Sequence, residues 1–266
     1  MFDFGKSCPH DLAQCVRNED RLSDLAWIHH LRAGEHEQAT VGLLSHASRN
    51  GTTGLWEQEQ MLSLAKLSNM RARKLASAKY TADPAAGDQR EMIENGLTLI
   101  TAQRILQEDT ERGDEMALSQ SDLVKLACEK IESARDVDEI RRFAICGLSI
   151  ASANPVSQKE EIAEDACAIW NAVINADIHT WKSVAMEDGM AVGGMPEEEL
   201  IRRVEGTAFV GVIYDFVTTA PSGESMKNVG YLNDHVRNQV SLSLGSVSDE
   251  LAKVLLLSAK IAYATN

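Results

Sequence analysis

The residues best equipped for chemistry lie in one short stretch, LAWIHHLRAGEHEQATVGLLSH, from Leu25 to His46. It sets His29, His30, His36 and His46 around Glu35 and Glu37. Imidazoles and carboxylates at this density suit metal ligation or general acid–base work. A zinc site needs three or four ligands converging from fixed directions. HExxH achieves that on a helix by setting two histidines one turn apart, and this stretch has no such motif. The adjacent His29 and His30 diverge by about 100° on a helix. The spacing therefore predicts imidazoles that trim the seam of a helical hairpin beside Trp27, bonded to nearby backbone or water. Cys8-Pro9-His10 and Cys15 offer a second group, with only three ligands at an unusual spacing.

Other chemical signatures are absent from the sequence. No GxxxxGK[ST] loop is present to cradle a phosphate, and Gly193-Gly194 is followed by no lysine. No GxSxG nucleophile elbow occurs. Glu160-Glu161 and Glu197 to Glu199 fall at expected helix starts, where carboxylates favour the positive end of the dipole. The expectation is no catalytic residue, no metal ligand and no cofactor. The rival expectation is a helical metal- or cofactor-binding enzyme whose site is the hairpin with His29, His30 and His36.

Composition sets the frame for these residues. The chain has 266 residues, 44% of them hydrophobic and only 5% aromatic. Ala, Leu and straight-chain polar residues lose little side-chain freedom in a helix, so the mix favours helix over sheet. Lys plus Arg number 26 against 40 Asp plus Glu, a formal net charge of −14. Such a chain is repelled on average by nucleic acid and by anionic membranes. Cys8, Cys15, Cys128, Cys146 and Cys167 are odd in number and scattered, and read as free thiols in a reducing compartment. No signal peptide opens the chain and no apolar run is long enough for a bilayer, so a nuclear or cytoplasmic protein is expected.

Helical signals then recur with little between them. Ser23 caps a helix to about Arg32, broken at Ala33-Gly34. Further helices are expected over Glu35 to Ser48, Leu55 to Lys79 and Gln89 to Glu111, with TADPAAGD as a loop. SDLVKLACEKIES, DEIRRFAICGLSIAS and QKEEIAEDACAIWNAVINA follow. DGMAVGGMP reads as a joint, and Pro196 as the first turn of PEEELIRRVEG. TAFVGVIYDFVTTA is β-branched, but a lone strand has no partner, so a buried helix is expected. ESMKNVGYLNDHVRNQVSL and SDELAKVLLLSAKIAYA close the chain. The predicted fold is all-α, an irregular solenoid of stacked antiparallel helix pairs. An N-terminal subdomain over 1–115 and a C-terminal stack over 116–266 are expected.

The Leu55–Lys79 helix has too much to bury. Trp56, Leu67 and Met70 form one stripe at 100° per residue, and Leu55, Leu62 and Ala76 another. Met61, Leu64, Ala65, Ala72 and Leu75 form a third, with Ser68 among them. Two sides can rest on neighbouring helices, and the third needs more of this chain or a second protein. The stripe of Met61, Leu64, Ser68 and Leu75 is the expected protein–protein interface.

RLSDLAWIHHLRAGEHEQATVGLLSHASRN followed by EQEQMLSLAKLSNMRARKLAS resembles the C-terminal helical region of the nucleoporin 133 family. The residues carrying the likeness are Leu25, Trp27, His29 or His30, Glu37, Gln38, Ala39, Leu43, Leu44, Leu62, Leu64, Lys66 and Leu67. LSQSDLVKLACEK and VDEIRRFAICGLS extend it, so that it spans about residues 10 to 215. The resemblance implies an all-helical stack from the C-terminal part of a longer protein. It implies a structural role in the Y-shaped outer-ring complex of the nuclear pore, serving protein and mRNA transport. There the leucine-rich helix docks the tail of nucleoporin 107, a partner that is itself α-helical. The positions matching that helix are Met61, Leu62 and Leu64, and the candidate contact set is Met61, Leu62, Leu64, Ala65, Ser68 and Leu75. Met61 and Ser63 depart from the family's pattern, and residues from about Ser222 extend past its usual end.

Overall fold

The computed structural model describes residues 25–48, 54–78, 85–108, 116–153, 159–179 and 197–219. Among them are nine α-helices and one isolated bridge, Gly54 with Met116, so the protein is all-α. In chain order the helices are α1 Ala26–Ala33, α2 His36–Ala47, α3 Leu55–Ala78, α4 Ala85–Leu106 and α5 Gln120–Ser133. They continue as α6 Val137–Ser152, α7 Lys159–Ala176, α8 Glu197–Val204 and α9 Ala208–Thr219. None of the described helices is long and apolar enough to cross a membrane. Ser23, Cys8, His10, Cys15, Gly193, Gly194 and the two closing helical segments lie outside the described residues.

The chain divides into two units, Met1–Gln120 with Ala153–Gln158 and Ser121–Ser152 with Lys159–Asn266. In the first, α1 to α4 fold back and forth. Gly34 ends α1 in the left-handed region at φ 76°, and its N–H donates to the carbonyls of His30 and Leu31. Only glycine adopts that backbone cheaply, so the turn is written into the sequence. Helix α2 runs antiparallel to α3. Ser68 pairs with His36 at one end, and Gln58 and Glu57 pair with Ala47 and His46 at the other. Helix α4 returns along α3, with the Arg104 guanidinium forked onto Glu59 and Asn69 donating to Gln89. Leu43, Leu44, Ala47, Leu55, Leu62, Ala65, Ile93 and Ile100 form the core between them.

Helix α4 begins at Ala85, four residues ahead of the expected start, and ends at Leu106. Ala85 and Ala86 are the strongest helix formers by residue type, which favours a start ahead of Gln89. Past α4, the buried Gln103 side chain holds the returning chain. Its Nε2 donates to the Met116 carbonyl and its Oε1 accepts the Leu118 N–H, each at 2.9 Å. An amide offering one donor and one acceptor substitutes here for a neighbouring strand.

In the second unit, Asp136 caps α6 by accepting the Glu139 N–H at 2.8 Å, while Glu139 accepts the Arg135 N–H. This reciprocal arrangement is a near relative of the capping box. At Gly147 three helices meet. A Cβ there would lie 2.6 Å from Ile169 Cδ1 on α7 and 3.2 Å from Ala127 Cβ on α5. The β-branched segment is helix α9, with Ala208, Phe209, Val212 and Ile213 fully buried. Thr207 Oγ1 and the Asp177 carboxylate accept N–H groups of its first turn. Phe209 meets Trp170 edge to face at 5.7 Å. Tertiary packing thus makes a helix of residues whose local preference is for strand.

Candidate protein-docking surface

Helix α3 lies between α2 and α4 and presents one side to each. Leu55, Leu62, Ala65, Ser68 and Asn69 are buried there. Ser68 is buried because its hydroxyl donates to the His36 carbonyl at 2.8 Å, a bond that Thr40 Oγ1 also makes at 2.8 Å. A hydroxyl so paired loses nothing by leaving water.

The expected contact set therefore divides. Leu62, Ala65 and Ser68 belong to the interior of the first unit, which corrects their reading as outward contacts. Met61 and Leu64 are half-buried and rest on the core. Leu75 is exposed. The apolar strip that faces out is the first of the three stripes instead: Trp56 is 67% exposed, Leu67 64% and Met70 61%. Gln60, Ser63 and Lys74 share that side. The reason is physical. Periodicity groups residues by face, but the direction of each face depends on where α2 and α4 pack. The strip from Trp56 to Met70 runs about 21 Å along the helix. Covering each of its large side chains is worth about 1.5–3 kcal/mol.

Beside the strip, α3 and α4 enclose a groove of about 380 Å³ lined by Lys66, Asn69, Met70, Arg73, Arg90, Ile93 and Glu94. Arg90 Nε donates to Glu94 at 2.8 Å. Lys66 and Arg73 have no carboxylate partner among the described residues.

The histidines sit at the α1–α2 turn and along α2. His30 Nδ1 pairs with Glu35 at 2.7 Å, and the His29 and His30 rings meet edge to face at 5.8 Å. His46 Nε2 lies 3.4 Å from Glu57. Nδ1 of His36 and of His46 is buried without a hydrogen-bond partner among the described residues. These two rings are ten positions apart on α2, about 15 Å, so they address different places. No three His, Cys, Asp or Glu side chains converge among the described residues. Three thiols lie in the second unit, and burial pushes Cys128 and Cys167 up to about 11 and Cys146 up to about 12. No protein-family model matches the chain, and no curated protein matches it.

Proposed function

We propose that this chain is a structural segment of the nuclear pore's outer ring, docking another α-helical scaffold nucleoporin in the Y-shaped complex. The observation that carries the protein-docking part is the strip of Trp56, Leu67 and Met70. These are three large apolar side chains, each more than 60% exposed, on one face of a helix already covered on its other sides. Exposed apolar patches of this kind mark interaction sites. The assignment to the pore rests on the likeness to the nucleoporin 133 family, strongest over residues that make up α1, α2 and α3. On this reading the chain works in the nucleus at the nuclear envelope. It carries out no reaction, binds no cofactor or small-molecule substrate, does not enter the membrane, and binds no nucleic acid, consistent with its charge of −14.

Affinity capture from a nuclear extract tests it, with the chain and its Trp56→Glu/Leu67→Glu variant as baits. Scaffold nucleoporins should be retained by the first and lost by the second, with helical circular dichroism unchanged. Specific captures without a single pore subunit would end the assignment.

A further inference from the structure

The geometry points to a carboxylate-bearing amphipathic helix of a partner protein as the occupant of the α3–α4 groove. This rests on the docking reading and narrows it to a partner of one charge. Three of the groove's seven residues are cationic and one is anionic, in a chain whose overall charge is strongly negative. Glu94 is engaged with Arg90, which leaves Lys66 and Arg73 facing outward, both exposed. They are seven positions apart on α3, about 10 Å, and Met70 lies between them. Ile93 and Asn69, nearly inaccessible to solvent, form the floor.

This is the mirror of one face of an incoming helix. Carboxylates at positions i and i+7 meet Lys66 and Arg73, and an apolar side chain at i+3 or i+4 meets Met70. The neighbouring Leu67 continues the apolar contact toward Trp56. A positive groove on a negative body recruits an acidic segment and turns away a basic one, so charge sets partner choice while the strip supplies burial.

The test uses two fluorescent peptides of about 20 residues, read by anisotropy. One is an alanine-rich amphipathic helix with a leucine stripe flanked by glutamates seven apart. The other has lysine at those positions. The acidic peptide should bind at least about tenfold more tightly than the basic one, and more weakly as salt rises. Lys66→Glu/Arg73→Glu should reverse the preference, and Lys66→Gln/Arg73→Gln should abolish it. Both pairs are exposed, so circular dichroism should not change. Equal binding of the two peptides, or no binding of the acidic one, overturns the proposal. So does concentration-dependent self-association of the chain that the same substitutions remove, since the occupant is then a second copy. If Trp56→Glu/Leu67→Glu abolishes two equal affinities, the docking surface stands and the acidic partner falls. Failure to capture pore subunits bears on the cellular assignment and leaves the peptide result intact.

Discussion

Cys146 sits on α6 with 5% of its surface open, and burial is the main reason its thiol ionises only at about 12. Burial acts in the same direction on Cys128 and Cys167, with nearby carboxylates adding to it. Thiolate is the reactive form, so these groups are sluggish toward alkylation at neutral pH. Their unfolded counterparts ionise near 9.0. Stability from keeping them protonated is therefore intact below pH 9 and declines as pH rises toward 11 to 12. In a Cys8→Ser/Cys15→Ser variant, thiolate absorbance should rise only above about pH 10 when folded, and near pH 9 in denaturant. Overlapping curves would contradict the buried setting of the three thiols. A second residue-scale expectation concerns Arg141, whose Nε and one terminal nitrogen donate to Asp215 at 2.9 and 2.8 Å. This fork joins α6 to α9, and both partners are about one-third exposed. Asp215→Ala should cost about 1–2 kcal/mol in urea unfolding, at the lower end for a charged hydrogen bond because solvent screens it.

Helix α3 carries a buried side and an exposed apolar strip. Leu62→Ala should destabilise by about 2–5 kcal/mol, the range for a buried leucine in a close-packed core. Trp56→Glu and Leu67→Glu should each change stability by less than about 0.5 kcal/mol, because neither side chain is covered. Thermal unfolding of the three variants decides this, and equal losses would refute the division of faces. At the crossing of α5, α6 and α7, Gly147→Val should cost about 1–3 kcal/mol, since added methyls enter space held by Ile169 and Ala127. Much of this architecture was legible in the sequence. Helical spacing placed α2, α3 and α6, the lack of any partner strand made α9 a helix, and Gly34 announced the first turn. The Asp136–Glu139 pair had the spacing of a cap and was open to the same reading. What stayed hidden was the direction of each α3 stripe. That is set by α2 and α4 together, through bonds such as Ser68 to His36, which join residues 32 positions apart. The α3–α4 groove was hidden for the same reason. Lys66 and Arg73 belong to one element, while Arg90, Ile93 and Glu94 come from the next.

For the molecule as a whole, charge and fold act on different questions. The fold makes two helical units, and the chain as a whole carries 40 Asp and Glu against 26 Lys and Arg. Against that net charge, the groove between α3 and α4 gathers three cationic side chains and one anionic one. Another consequence comes from Gln103. By gripping Met116 and Leu118 it brings together two points of the chain, one on α4 and one beyond residue 115, next to Gly54 at the start of α3. The segment 116–118 is thus tied to α4 by a single side chain. Gln103→Ala removes both bonds from a buried site and should cost about 1–3 kcal/mol, read by thermal unfolding.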